Sequence, residues 1–173
     1  MTGNAHRLGG LCIGAVTAYY STKIPAIAEV VSMEALLLAP VCTAIGCLFP
    51  DIDIEYSTIS RRLPKLARFV CRYTEHRMGM HSLVCPTLFS IIGYLLWAAS
   101  PLIAYSIICF AMGYLFHLIQ DSFTKGGIPW MYPIKRYRFH LLPMRSGSLF
   151  QWPIVFVLVF AYSEILNYFL IPD

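Results

Sequence analysis

Apolar residues gather in five runs separated by polar, charged stretches. The runs extend from about Leu8 to Ala28, Met33 to Phe49, Ser82 to Ser100, Leu102 to Gln120 and Phe150 to Ile171, the first being interrupted by Lys23 and Pro25. A helix that crosses the hydrocarbon core needs about 20 residues, with a range of roughly 17 to 25, so each run predicts a transmembrane helix. Ser100-Pro101 leaves no room for a loop, which makes the third and fourth helices an antiparallel hairpin. The pattern predicts an all-α integral membrane protein: one domain over residues 1–173, built as a bundle of about five transmembrane helices.

Composition agrees with the pattern. Hydrophobic residues make up 58% of the chain and charged residues 13%, against about 25% charged in soluble domains. The mean hydropathy is +0.64. The six cysteines (Cys12, Cys42, Cys47, Cys71, Cys85 and Cys109) fall mostly inside apolar runs and form no C-x-x-C pair. They read as small buried hydrophobes rather than a disulfide framework or a zinc ribbon. His6 and Arg7 lead into an interrupted apolar stretch with no cleavage site, so no cleavable signal is expected.

The net charge of +4 is an orientation signal. Twelve of the thirteen lysines and arginines lie before the first run, between the second and third (Arg61, Arg62, Lys65, Arg68, Arg72, Arg77), or between the fourth and fifth (Lys125, Lys135, Arg136, Arg138, Arg145). With five spans these regions share one side, and the positive-inside rule makes that side cytoplasmic. The expectation is a multi-pass protein of the cell inner membrane with its N-terminus and both basic loops in the cytoplasm. If the first run does not span, only the N-terminus changes side. Lipids are the expected partners of the basic loops, and no nucleic acid is expected.

Polar residues foreign to a simple bundle map to that same side. His6 precedes the first span, Asp51 and Asp53 end the second, His76 and His81 enter the third, and His117, Asp121 and Thr124 close the fourth. His117 and Asp121 are four residues apart, so they share a helix face. Imidazole and carboxylate together suit zinc first, with manganese or iron as alternatives. One or two such ions would lower the pKa of bound water to about 7 and ready it to attack an acyl or phosphorus centre. A carboxylate not spent on metal would orient a histidine or act as general base. Arg77 and Lys125 would hold an anionic phosphate.

Each element also has a bland reading. Pro50-Asp-Ile-Asp53 fits a turn after a helix, His117 a hydrogen-bonded core residue, and His81-Ser82 a capped helix start. Arg61 to Arg72 fits a juxtamembrane segment on anionic lipid. Trp130, Tyr132, Tyr137 and Trp152 read as interfacial anchors, as does His140 in its basic loop. Glu164 fits either a buried hydrogen-bonding role or a place near the far surface.

With these residues in hand, the chain resembles the YdjM-like family of LexA-regulated, membrane-bound metal-dependent hydrolases. The matching landmarks are His6, Pro50-Asp-Ile-Asp53, His76-Arg77 followed by His81-Ser82, and Gly113-x3-His117-x3-Asp121-x2-Thr124-x-Gly126 with Pro133 beyond. They cover about residues 5 to 150 in order. The His117-x3-Asp121 element also resembles zinc-dependent phospholipase C and related nucleases, which implies phosphoester substrates. Where the family reads His-Arg-Gly-x-Thr-His-Ser, this chain carries Met78 and Met80. The ligand spacing survives, but a hydroxyl is lost at position 80.

The expected ligands are His81, His117, Asp121 and one or both of Asp51 and Asp53, with His6 and His76 next as ligands or proton-transfer groups. Asp53, His76 and Arg77 are the expected catalytic residues. The expected function is metal-dependent hydrolysis of a lipid-like ester or phosphoester at the cytoplasmic membrane face. Two non-enzymatic alternatives stand beside it: a structural metal stapling the helix ends, or a membrane adaptor working through the basic loops. Transport is disfavoured, because the ionisable residues collect at one interface instead of the midplane.

Overall fold

The computed structural model describes residues 1–74, 77–142 and 144–171. The protein is an all-α membrane protein, with eight α-helices among the described residues: α1 Gly3–Ser21, α2 Pro25–Ala28, α3 Met33–Leu48, α4 Thr58–Arg62, α5 Pro64–Tyr73, α6 Val84–Leu96, α7 Pro101–Ser122 and α8 Gln151–Leu170. Short 3-10 turns at Phe49–Asp53 and Gly79–His81 join α3 to α4 and lead into α6. Among the described residues no strand forms, only isolated bridges between Ile128 and Phe139 and between Thr124 and Met144.

Among the described residues, three helical segments are long and apolar enough to cross a membrane: Met33–Asp53, Pro101–Ser122 and Gln151–Leu170. The five expected spans thus divide into two groups. α6 is apolar but only 13 residues long, about 20 Å at 1.5 Å per residue, and so shorter than the ~30 Å hydrocarbon core. The first run breaks at Thr22, giving α1 and the single turn α2, as Lys23 and Pro25 foreshadow. α1 has the length of a span but carries Asn4, His6, Arg7 and four glycines, which dilute its hydropathy.

α3 and α7 form the centre; α1 packs along α3, α6 along α7, and α8 docks on α1. Small residues set the central contact. A side chain at Gly113 of α7 would run into the Thr43 backbone carbonyl of α3, so the two backbones touch as in other small-residue interfaces of membrane helices. Thr43 also ties α1 to α3, its hydroxyl donating to the Gly10 carbonyl at 2.6 Å. Only Gln151 and Val155 of α8 are buried. Its remaining surface presents Phe156, Val157, Phe160, Ile165 and Phe169 outward, as a lipid-facing helix should.

The α4–α5 segment differs in kind. Lys65, Arg68 and Arg72 share α5 with exposed Leu66, Phe69 and Tyr73, while Ala67 turns inward. A short basic helix with an exposed apolar side has the character of an interfacial helix, and at 10 residues α5 is too short to cross a bilayer.

Candidate metal centre

The site lies where α1, the 3-10 turn after α3, the Gly79–His81 turn and α7 meet. Its polar residues are almost entirely buried: His6, His81 and His117 are inaccessible and Asp121 nearly so, while the Asp51 side chain retains 18% exposure. Burying such groups without partners is costly, so each hydrogen bond carries information.

His117 is oriented by α3. The last carbonyls of a helix lack intrahelical partners, and the Cys47 carbonyl, in the final turn of α3, accepts from His117 Nδ1 at 2.8 Å. A carbonyl can only accept, so Nδ1 carries the proton and Nε2 turns a lone pair into the site. His81 is oriented by Asp53, whose carboxylate accepts from Nδ1 at 3.1 Å. His6 is oriented by Gln120, the amide oxygen accepting from Nδ1 at 2.7 Å while the amide nitrogen donates towards the Ala5 carbonyl. The His6 and His117 rings stack at 3.9 Å between centroids.

Three Nε2 atoms therefore converge with two carboxylates. His117 Nε2 is 3.3 Å from His81 Nε2, 3.8 Å from Asp51 Oδ1 and 3.9 Å from Asp121 Oδ2. His6 Nε2 lies 3.2 Å from Asp121 Oδ1, yet it is a buried polar atom with no hydrogen-bond partner. Among the described residues, two overlapping groups are close enough to share one ion: His6, Asp51 and His117, and His81, His117 and Asp121. His117 belongs to both. An orphaned imidazole nitrogen and a convergent nitrogen–oxygen donor set fit a divalent metal of the zinc, manganese or iron class.

Positive charge surrounds the carboxylates. Arg77 Nη2 pairs with Asp121 Oδ2 at 2.8 Å, and the Met1 ammonium pairs with Asp121 Oδ1. Burial works against a charge on His81, but the neighbouring carboxylates of Asp51 and Asp53 outweigh it and hold the imidazole up at about 9. A metal arriving here must displace that proton.

Arg77 is itself held in an uncommon shape. Its φ is 59°, the left-handed region that non-glycine residues seldom enter. Its backbone N–H donates to Asp53 at 3.1 Å, and its guanidinium reaches the Thr124 hydroxyl and the Gly127 carbonyl. Gly126 leaves room for this group, since a Cβ there would overlap the guanidinium.

The YdjM inner membrane protein family matches residues 1–171. The chain belongs to this family. It is 31% identical over 149 residues to the uncharacterized protein YvsG of Bacillus subtilis, an alignment covering 86% of this chain and 83% of that protein. It is also 31% identical over 104 residues to the inner membrane protein YdjM of Escherichia coli, covering 59% of this chain and 53% of that protein. The chain thus spans about half the length of the Escherichia coli relative. No solved structure matches. Membership in the YdjM family makes this an inner membrane protein, in keeping with its three long apolar helices.

The residues singled out from the sequence take distinct places. His6, Asp51, His81, His117 and Asp121 supply the converging atoms. Asp53 stands behind His81 and also receives the Arg77 N–H, so it organises two neighbours. Arg77 borders the ligand cluster through Asp121. His76 lies outside the described residues. Lys125 and His140 are exposed. Met80, at the departure from the family pattern, packs with Ile52, Ile59 and Ala67, and its carbonyl accepts from the Tyr114 hydroxyl at 2.5 Å. Sequence reasoning passed over Gln120, the partner of His6. Its signal was an amide within an apolar run, three residues after His117 and on the same side of the helix.

Proposed function

We propose that this YdjM family member is a membrane-embedded, metal-dependent hydrolase acting on an ester or phosphoester of lipid type at the headgroup level of the cytoplasmic face. One observation carries the reading: three imidazole Nε2 atoms, each oriented through its own Nδ1, meet two carboxylates in a buried cluster at the ends of apolar helices. Ionisable groups at such depth are costly and mark function. A bound divalent metal, zinc first, would supply Lewis-acid activation of water.

The chain's own residues would do the rest. His6, His81, His117, Asp51 and Asp121 bind the ion. Asp53 fixes the His81 tautomer, and through it the direction of Nε2. Arg77 offers a guanidinium beside the cluster where the negative charge of a phosphoester would sit. Asp51, the least buried of the ligands, marks the side open to water and substrate. The twelve basic residues on one side of the sequence-derived topology support the cytoplasmic assignment.

The test is elemental analysis of the detergent-purified chain, followed by hydrolysis assays on phospholipid and phosphodiester substrates. Metal at about one or two equivalents with chelator-sensitive turnover supports the proposal. The near-complete burial of the three histidines favours one rival, a structural metal stapling α1, α3 and α7. Stoichiometric metal without turnover on any ester, together with unfolding on chelation, would select that rival.

A further inference from the structure

Neighbouring residues of α1 point opposite ways. His6 is buried in the metal centre, whereas Arg7 is exposed on the outside of the bundle. Arg7 and Leu11, one turn apart, border a groove of about 180 Å³ whose other wall is the α3 face carrying Val41 and Ile45, and whose polar end is formed by Thr58 and Arg62 of α4.

We propose that this groove binds one anionic phospholipid, its phosphate held between Arg7 and Arg62 and an acyl chain laid along Leu11, Val41 and Ile45. The inference is independent of the metal-dependent activity. Three observations carry it. Two guanidinium groups 55 positions apart in sequence border one groove that no acidic side chain lines, and arginine is suited to paired contacts with phosphate oxygens. Val41 and Ile45 belong to Met33–Asp53, a segment long and apolar enough to cross a membrane, and with Leu11 of α1 they are roughly 40 to 50% exposed, so hydrocarbon is their natural neighbour. The α5 helix that follows Arg62 carries Leu66, Phe69 and Tyr73 outward among its basic residues, which sets Arg62 at headgroup depth. An acidic protein would meet the arginines but not the membrane-facing wall.

The experiment is native mass spectrometry of the full chain in detergent, titrated with phosphatidylglycerol or with phosphatidylcholine of the same acyl chains. The expected result is one retained phosphatidylglycerol, preferred over phosphatidylcholine by about tenfold, with that preference lost in Arg7→Gln/Arg62→Gln. Arg68→Gln/Arg72→Gln on α5 should retain it. Ile45→Trp, which fills the apolar wall, should weaken both lipids. Equal retention of the two lipids, or equal losses in the two double arginine variants, would overturn the site in favour of diffuse surface electrostatics. Helicity by circular dichroism serves as the folding control. If Arg7→Gln/Arg62→Gln does not fold, Arg62→Gln and Ile45→Trp carry the same test.

Discussion

The Nδ1 atom of His117 donates to the backbone carbonyl of Cys47 across 2.8 Å, and this one bond couples the end of α3 to the face of α7 that carries the site. It assigns the proton to Nδ1 and leaves Nε2 for the cluster shared with His6, His81, Asp51 and Asp121. His81 and His6 repeat the arrangement with Asp53 and Gln120 as acceptors. A histidine that binds metal characteristically spends its second nitrogen in this way.

Because His117 belongs to both candidate ligand groups, its loss should be more damaging than that of any ligand belonging to one. Elemental analysis should find His117→Ala essentially without metal. Asp51→Ala should keep ion in the His81–His117–Asp121 group, and Asp121→Ala should lose it there. Full metal content in both His117→Ala and Asp121→Ala would show that the cluster is not the binding site.

Asp53 acts through its neighbours. Asp53→Asn preserves size but removes the charge that orients His81, so zinc affinity measured against a competing chelator should fall by roughly 10–100-fold. The helical content of the variant should match that of the parent. Unchanged affinity would leave Asp53 with a purely structural role at the Arg77 amide.

Gly126 and Arg77 should be energetically coupled. In Gly126→Ala the new methyl displaces the guanidinium and breaks its pairing with Asp121, at a cost of about 1–3 kcal/mol in thermal or denaturant unfolding. In an Arg77→Ala background the same substitution should be nearly silent. Additive losses in the double variant would mean that Gly126 matters for some other contact.

The central packing predicts a separate loss. At Gly113 a side chain meets the Thr43 backbone carbonyl, which cannot rotate aside. Gly113→Ala should destabilise the bundle by about 1–3 kcal/mol and lower metal content as well, because α3 and α7 carry Asp51 and His117. A variant that melts like the parent with full metal would place the closest α3–α7 contact elsewhere.

Much of this was legible in order along the chain. The apolar runs, with their uninterrupted length and sparse charge, determined an all-α membrane protein. The i, i+4 spacing of His117 and Asp121 determined that they share a face, since helical periodicity is a local property. The grouping of His6, Asp51, His81, His117 and Asp121 at one end of the bundle followed from alternating the direction of successive helices. Only the tertiary structure decided the rest. The Trp97–Ser100 corner leaves α6 at 13 residues, and α1 is held by its contacts with α3 and α8 despite its modest hydropathy. Which nitrogen of each histidine faces the site depends on the Cys47 carbonyl, Asp53 and Gln120. These lie 70, 28 and 114 positions from the histidines they orient, and only packing brings them together. Local sequence determines which way a helix face points, but the partner across the interface is chosen by the fold.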